Sequence, residues 1–274
     1  MLITVNGLVT RSYQSGDHDR VIHILTEDHG RLSVMVKGTG SRRTGNGTAA
    51  ACTQLFTYGN YELYRGKTGD LYWYRGGSVL NTFYSLAGDL TRAALANYLC
   101  DLASELTDEE QGTEESLVLL RMLLNSLYAL KSGLRSPTVI KAVFELRAMA
   151  LMGYRPDLTG CDLCGEGFPE QAYFDIMNGR LICADCQTKR NRIGSREAFN
   201  TDSELRERQI ICPVSASVLA AMRYVLSADD RKIFSFALKD REEELSFGRT
   251  AETFLLNQLE RDFDTLAFYR SVAE

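Results

Sequence analysis

Four cysteines lie in two closely spaced pairs near the middle of the chain. Cys161 and Cys164 are separated by two residues, as are Cys183 and Cys186, and eighteen residues separate the two pairs. A two-residue gap allows both thiolates of one turn to face a single ion, and two such turns can surround Zn²⁺ with four sulfurs. A site closed by four sulfurs leaves no position for water or substrate. The pattern therefore predicts one structural, non-catalytic Zn²⁺ per chain.

Other interpretations of the four cysteines remain open. Two disulfides would require an oxidising compartment, and the N-terminus has no basic segment before an apolar run that would direct secretion. A dithiol redox centre usually needs one such pair rather than two. Unliganded core cysteines are a further alternative. The remaining cysteines, Cys52, Cys100 and Cys212, are scattered among apolar neighbours, which indicates buried free thiols.

The segment between the two cysteine pairs predicts a β-hairpin. Residues 173–176 and 180–182 are suited to strands, and Asn178-Gly179 between them is a tight-turn dipeptide. The zinc-binding segment is therefore expected to span residues 160–187.

Bulk composition places the chain among ordinary globular proteins. It has 274 residues, 45% hydrophobic residues, 24% charged residues and a net charge of −5. No apolar run approaches the length needed to span a bilayer, and a cytoplasmic location is expected. The charge is unevenly distributed. Residues 1–80 contain nine Lys/Arg and six Asp/Glu, whereas residues 81–274 contain 22 and 30.

Residues 1–80 have the pattern of short β-strands. Strand-like runs occur near the N-terminus and at 20–25, 32–36, 53–58, 61–64 and 71–79, with a polar, glycine-rich loop after the third. Several short strands in about 80 residues indicate a small antiparallel barrel. An OB-fold is the leading prediction and an SH3-like barrel is the second.

Residues 81–274 have helical periodicity. The sequence predicts helices at 86–106, 114–130, 136–152 and 250–268, another that starts at Pro213 or Ser215 and ends at Ser227, and a polar link at 187–208. The predicted fold class is thus α+β and multidomain. An OB-fold domain at 1–80 precedes an α-helical domain at 81–274, into which the zinc-ribbon-like four-cysteine hairpin is inserted.

Motifs of catalysis are missing from the sequence. Gly66-Lys67-Thr68 resembles the end of a phosphate-binding loop, but Tyr61 stands where that motif requires a glycine. HExxH and GxSxG do not occur. The three histidines fit surface or satisfied strand positions, and the acidic runs at 108–110 and 242–244 are expected to be solvated. These observations favour a binding protein over an enzyme.

Cationic and aromatic residues alternate through the predicted barrel. A cationic groove with aromatic platforms is the usual means of holding single-stranded nucleic acid, because every base can stack on an aromatic ring. Enrichment of tyrosine in strands is the competing explanation. The candidate nucleic-acid-binding residues are Arg11, Arg20, Arg31, Lys37, Arg42, Arg43, Arg65 and Lys67. Arg75 and the aromatic residues Tyr13, Phe56, Tyr58, Tyr61, Tyr64, Tyr72, Trp73 and Tyr74 are interspersed with them.

Two basic clusters are singled out by their context. Arg42 and Arg43 lie in the glycine-rich loop, which could wrap a phosphate chain or be an ordinary solvated loop. A second basic cluster follows the last cysteine pair: Lys189, Arg190 and Arg192 could contact phosphate or begin a solvated linker.

Two sets of motifs are shared with a known family. They are Gly16-Asp17-His18-Asp19, Thr26, Gly30 and Lys37-Gly38 in the predicted barrel, and GYRPDLTGCDLCG with FDIMNGRLICADC around the cysteines. With these motifs, nearly the whole chain resembles the RecO family of bacterial recombination mediators. Asp17 stands where the family usually has Glu, and Asn178-Gly179 where it usually has two glycines. Some members of the family have lost the cysteines; all four are present here.

The resemblance implies a DNA-binding recombination mediator in DNA repair, associated with the nucleoid, that is not an enzyme. It implies binding to single- and double-stranded DNA, annealing of complementary strands, and loading of RecA together with RecR onto DNA coated by single-strand-binding protein (SSB), with RecF as a further possible partner. It also implies that the acidic C-terminal tail of SSB docks in an apolar groove of the helical domain. Candidate cations for the rim of that groove are Arg121, Lys131, Lys141, Arg147, Arg223, Arg231 and Lys232.

A different class of function remains open. The barrel could be a protein–protein scaffold that binds a partner such as RecR, with incidental contact to DNA. A zinc-ribbon transcription regulator is less favoured, because no helix rich in Arg and Asn follows the cysteines.

Overall fold

The chain folds into two compact units. The computed structural model describes residues 1–38, 47–66, 71–167, 171–197 and 210–273. The first unit comprises Met1–Leu134 and Phe263–Glu274, and the second comprises Arg135–Asp262. The barrel ends at Thr82, close to the predicted boundary at residue 80, but the helices that follow it are assigned to the same unit. That residues 1–80 form a separate domain stays a prediction.

The described residues form nine strands and eight α-helices. The strands are β1 Leu2–Ser15, β2 Asp19–Thr26, β3 Arg31–Val36, β4 Thr57–Arg65, β5 Tyr72–Thr82, β6 Asp157–Cys161, β7 Gln171–Asp175, β8 Arg180–Cys183 and β9 Ile211–Ser215. The helices are α1 Gly47–Cys52, α2 Leu90–Glu105, α3 Glu114–Ser132, α4 Pro137–Leu151, α5 Ala184–Glu197, α6 Ala216–Ser227, α7 Arg241–Leu259 and α8 Asp264–Ala273. None of these helices is long and apolar enough to cross a membrane.

Strands β1 to β5 close into a barrel. Their order is β1-β2-β3-β5-β4, and β4 returns to pair with β1. All pairs are antiparallel except β3 with β5, which are parallel. This closed five-stranded arrangement, with α1 between β3 and β4, confirms the OB-fold prediction over the SH3-like alternative.

The alternation of apolar residues along each strand produces the barrel core. Val5, Val9, Ile22, Ile24 and Val34 face inward and are at most 2% exposed. The alternation in β1 is interrupted by a register shift between Val9 and Arg11. Such an irregularity bends a strand. The long β1 can therefore pair with β2 on one side and with β4 on the other.

Helices α2, α3 and α8 belong to the same unit as the barrel. Their starts and stops are set by local signals. Asp89 accepts the Arg92 backbone N–H at the start of α2, and Thr113 forms a reciprocal capping box with Ser116 at the start of α3. Gly133, with φ of 66°, ends α3.

The second unit contains a four-stranded sheet and the helices α4 to α7. The sheet order is β6-β8-β7-β9, in which β7 and β8 form the predicted hairpin. At its turn, Asp175 accepts the backbone N–H groups of Met177 and Asn178, and Gly179 takes φ of 62°. The hairpin therefore holds the two cysteine turns at one end of the sheet.

Three local predictions were wrong. Residues 57–65 form one strand, β4, whereas 53–56 form a turn in which Phe56 has φ of 64°. The polar link predicted from residue 187 is the helix α5 as far as Glu197, and the apolar spacing on which helix prediction depended is absent from it. This helix contains Arg190, Asn191 and Arg192, so a helix with Arg and Asn does follow the cysteines, contrary to expectation. The last predicted helix is two helices, because Glu260 breaks the α-helical path with φ of 48°.

Candidate metal centre and nucleic-acid interface

The four cysteines are brought together by the ends of two strands and the segments that follow them. Cys161 is the last residue of β6, and Cys183 is the last residue of β8. Cys164 lies in the turn after β6, and Cys186 lies in the first turn of α5. Because β6 and β8 are neighbouring parallel strands, both turns emerge at the same end of the sheet.

The sulfur positions fit a tetrahedral metal site. All four Sγ atoms lie within 4.8 Å of one another, and those of Cys164 and Cys183 are 3.8 Å apart. Four sulfurs at about 2.3 Å from a Zn²⁺ would be separated by roughly 3.8 Å, whereas a disulfide requires about 2.05 Å. All seven cysteines are free thiols. The cluster can therefore hold a metal ion, and the disulfide interpretation is wrong for this structure.

Backbone groups stabilise thiolates in the cluster. The N–H of Cys183 donates to Cys161 Sγ at 3.3 Å, and the N–H of Cys186 donates to Cys183 Sγ at 3.4 Å. Burial opposes ionisation of Cys161, but the backbone N–H groups of Cys183, Cys164 and Leu163 outweigh it and hold the pKa of this thiol at about 6. Hydrogen bonds with Cys183 and Cys164 raise the pKa of Cys186 to about 12. The cysteines therefore do not all ionise readily side by side, and a cation bound between them would stabilise all four thiolates.

The two cysteine turns are also linked outside the sulfurs. Arg180 Nη1 lies 2.7 Å from Asp162 Oδ1, which joins β8 to the first turn, and the Asp162 N–H donates to the Leu181 carbonyl at 2.8 Å. Ile182 and Tyr173 pack against Cys161 and Cys183 in a small apolar cluster. These contacts orient the ligands before any metal binds.

Three of the predicted DNA-binding arginines are paired with carboxylates. Arg11 forms an ion pair with Asp101 of α2. Arg31 Nη2 lies 3.1 Å from Glu109 Oε1, and Arg65 pairs with Glu110. The acidic run at 108–110 is therefore not simply solvated, as predicted. Sequence reasoning missed these pairs because the partners are far apart along the chain.

Several aromatic residues of the predicted constellation lie in one row across the outside of the barrel. The strand registers pair Tyr13 with Val21, Val21 with Met35, Met35 with Trp73, and Trp73 with Tyr64. Directly paired residues share one face of a sheet. Tyr13 is 50% exposed, Tyr64 is 37% exposed, and Trp73 is partly exposed. We call Tyr13, Val21, Met35, Trp73 and Tyr64 the outer row.

Cations lie against two rings of the outer row. Lys37 Nζ is 4.6 Å from the centre of the Trp73 ring, and the Arg75 guanidinium is 5.1 Å from the centre of the Tyr64 ring. Aromatic rings beside cations are the combination that binds bases and phosphates together. Sequence reasoning named these residues, but only the strand registers bring them into one row.

The remaining basic candidates of the barrel lie elsewhere. Arg20 is paired in register with Val36, whose side chain belongs to the barrel core, so Arg20 is on the opposite face from the outer row. Arg42, Arg43 and Lys67 lie outside the described residues.

The second basic cluster lies on α5, directly after the cysteines. Lys189 and Arg192 are exposed and three residues apart, which places them on neighbouring positions of one helix face, whereas Arg190 is half-buried. Because Cys186 lies in the first turn of this helix, the metal site and the cluster share one helix.

His23 is a satisfied strand histidine, as predicted. Its Nε2 atom lies 3.3 Å from the Tyr13 hydroxyl and its Nδ1 atom lies 3.4 Å from Ser33 Oγ. Burial, followed by the positive charges of Arg31 and Arg11, lowers the pKa of His23. A neutral imidazole between two hydroxyls supports the position of Tyr13 in the outer row.

The candidate rim cations have very different environments. Lys141 is buried between two carboxylates, and Arg147 donates to the carbonyls of Val225 and Ala228 and to Asp230. Both are held by partners within the second unit. Arg223 instead lines a cleft of about 480 Å³, and its Nε donates to the Leu158 carbonyl at 2.6 Å. The cleft is lined by Arg155, Pro156, Asp157, Leu158, Thr159, Arg223 and Leu226.

Comparison with known proteins identifies the family. A family model described as Recombination protein O N terminal matches residues 1–83, and one described as Recombination protein O C terminal matches residues 87–195. The chain belongs to the RecO family. The first RecO model ends just after β5, and the second includes α2 to α4, the cysteine cluster and most of α5.

One individual RecO protein extends this similarity over nearly the full chain, and two others cover a large part of it. DNA repair protein RecO of Acetivibrio thermocellus is 26% identical over 270 residues, which cover 98% of this chain and 97% of that protein. RecO of Symbiobacterium thermophilum is 29% identical over 248 residues, or 85% of this chain and 95% of that protein. RecO of Anaeromyxobacter sp. strain K is 34% identical over 185 residues, which cover 67% of this chain and 70% of that protein. The chain is thus a RecO-family DNA repair protein.

Proposed function

We propose that this protein is a DNA-binding recombination mediator. In this proposal it binds single- and double-stranded DNA through its barrel and anneals complementary strands. With RecR it helps to load RecA onto DNA coated by SSB. Membership of the RecO family and the OB-fold of the barrel support this role. The proposal includes no catalytic step.

The single observation that carries the proposal is the outer row. Tyr13, Trp73 and Tyr64 offer three rings on one face of the barrel, and Lys37 and Arg75 lie against two of them. Bases that stack on these rings would place their phosphates near the cations. Stacking does not depend on base identity, so the surface suits binding without sequence preference.

Charge neutralisation would promote annealing. Two single strands brought side by side repel through their phosphates, and cations that screen this repulsion allow their bases to pair. Lys37 and Arg75 at the outer row, and Lys189 and Arg192 on α5, are the described cations proposed for this role. Arg42, Arg43 and Lys67 remain predicted contributors, and their positions fall outside the described residues.

The cleft beside β6 is the proposed docking site for the SSB tail. Pro156, Leu158 and Leu226 line it with apolar surface, and Arg155 and Arg223 supply positive charge. An acidic peptide with apolar side chains matches both features. This choice selects Arg223 from the seven candidate cations; Lys141 and Arg147 are excluded by their internal partners.

The proposed metal is Zn²⁺, with one ion per chain. Four cysteine sulfurs at tetrahedral spacing are the preferred ligand set of structural zinc. Bound Zn²⁺ would supply a cross-link between the two cysteine turns. The chain's own contribution is to hold the sulfurs together through the sheet and the N–H donors.

A protein–protein scaffold is the alternative function. In that case the barrel would bind a partner such as RecR and its contact with DNA would be incidental. Salt dependence separates the two functions, because phosphate binding weakens with salt with a log–log slope near −0.7 for each phosphate neutralised on a single strand.

The testing experiment measures annealing of two labelled complementary oligonucleotides coated with SSB, with and without this protein, over a salt series. A mediator accelerates annealing, and the acceleration fades as salt rises. No acceleration together with no DNA binding contradicts the mediator proposal and favours the scaffold, for which RecR binding is then measured directly.

A further inference from the structure

The segment between α2 and α3 docks on the barrel through its backbone. The Arg31 N–H donates to the Asp108 carbonyl at 3.1 Å, and the Glu110 N–H donates to the Arg31 carbonyl at 3.2 Å. Together they form a short parallel bridge between Arg31 and Glu109. We call residues 108–110 the acidic segment, because all three are Asp or Glu.

Glycines on both sides allow a close approach of the two backbones. A Cβ atom on Gly112 would lie 1.9 Å from the Asp28 carbonyl oxygen, and one on Gly30 would lie 2.6 Å from that of Asp108. Glu110 takes φ of 57°, a conformation rare for a residue with a side chain. The docking contacts therefore hold the acidic segment in one defined position.

This position directs two carboxylates at barrel arginines. Glu109 pairs with Arg31 and Glu110 pairs with Arg65. The arginine side chains are 20% and 29% exposed, whereas those of Glu109 and Glu110 are 60% and 38% exposed. The acids thus cover two cations that would otherwise face solvent.

We propose that the acidic segment is an internal competitor for DNA phosphate. Carboxylates and phosphates bind guanidinium groups in the same way, so Glu109 and Glu110 occupy the places that phosphates would take on Arg31 and Arg65. While the two ion pairs are in place, Arg31 and Arg65 neutralise no DNA phosphate, so the wild type binds DNA with two fewer phosphate contacts than these arginines could provide. This inference rests on the proposed binding of DNA by the barrel, and it limits the affinity of that binding.

The test removes the two charges without changing the shape of the side chains. Glu109→Gln/Glu110→Gln is compared with the wild type by fluorescence anisotropy on a labelled oligothymidylate over a salt series. The dissociation constant should fall roughly tenfold at low salt. The log–log salt slope should steepen by about 1.4, because two more phosphates are neutralised at about 0.7 each.

A matched control separates competition from net charge. Glu114→Gln/Glu115→Gln makes the same charge change at the exposed start of α3, where neither glutamate forms an ion pair with an arginine within the described part of the chain. This control variant should change the affinity for the oligothymidylate much less than Glu109→Gln/Glu110→Gln does. An equal gain in both double variants overturns the inference, because the effect would then be long-range charge alone.

Arginine substitutions test whether the gain in DNA affinity depends on Arg31 and Arg65. Arg31→Ala/Arg65→Ala should have little effect on DNA affinity in the wild type, since these arginines are already neutralised, but should remove the gain of Glu109→Gln/Glu110→Gln. Circular dichroism and melting temperature establish that each variant is folded. If the wild type binds DNA and the glutamine variant binds no better, only this inference fails. If neither binds DNA, the proposed function fails with it.

Discussion

Lys141 and Glu145 form an ion pair in the interior of the second unit. Lys141 Nζ lies 2.9 Å from both carboxylate oxygens of Glu145, one turn later in α4, and 2.8 Å from Glu252 of α7. The side chains of Lys141 and Glu145 are 5% and 0% exposed. Burial alone would lower the pKa of Lys141, but the two carboxylates outweigh it and raise that pKa. The lysine is therefore charged, and two carboxylates depend on it.

Replacement of this lysine should destabilise the protein strongly. Lys141→Met leaves Glu145 buried without its cation, which typically costs about 3–5 kcal/mol. Urea unfolding monitored by circular dichroism measures the loss. Lys232→Met, at an exposed position of the same unit, is the control and should have a free energy of unfolding within about 0.5 kcal/mol of the wild type. Equal stability of the two variants contradicts the role assigned to Lys141.

Metal analysis tests the four-cysteine centre. Purified protein should contain one zinc per chain, and Cys164→Ser should lose it. Chelation should lower the melting temperature by at least about 5 °C, because structural zinc contributes its binding free energy to folding. Cys212→Ser is the control, since Cys212 lies in β9 outside the cluster, and it should retain the metal. Less than about half a zinc per chain would contradict the structural-zinc proposal.

The outer row makes a prediction about single-stranded DNA. Tyr13→Ala and Tyr64→Ala should each weaken binding by about 1–3 kcal/mol if one base stacks on each ring. Tyr84→Ala and Tyr128→Ala remove exposed rings elsewhere in the first unit and should have little effect. Fluorescence anisotropy measures both sets. If both sets of variants change DNA affinity equally, the DNA-binding surface is not the outer row.

Glu243 should contribute stability that depends on pH. It accepts hydrogen bonds from Ser217, from the Lys239 backbone N–H and from Ser215, and these lower its pKa below the ordinary value of 4.5. A carboxyl whose pKa is lower in the folded than in the unfolded state stabilises the folded protein at pH values above its unfolded-state pKa. This stabilisation is lost as the pH falls through its folded-state pKa. Glu243→Gln should therefore be less stable than the wild type at pH 7.

The difference between Glu243→Gln and the wild type should narrow below about pH 4.5. Urea unfolding at pH 7, 5 and 4 follows it. Glu242→Gln removes the same charge from the same helical turn and serves as the comparison. A difference that stays constant over this range argues against ionised Glu243 as the source of the stability.

Local signals in the sequence were sufficient for the strands, most helices and the ligand set. Alternation along residues 20–25 and 32–36 predicted β2 and β3, and Ser136-Pro137 predicted the start of α4. The cysteine spacing predicted a four-sulfur cluster, which the sulfur positions confirm. These features depend on residues close together in the chain, so composition and spacing contain the necessary information.

Features that depend on distant residues required the tertiary structure. The outer row exists because the registers of β1, β2, β3, β5 and β4 align Tyr13, Trp73 and Tyr64, and no local pattern specifies those registers. The pairing of Arg31 with Glu109 joins residues 78 positions apart. The sequence alone thus determined which residues could hold a metal or bind DNA. The packing of distant segments decided which of their charges are already neutralised, because an ion pair depends on distance in space and not on position in the chain.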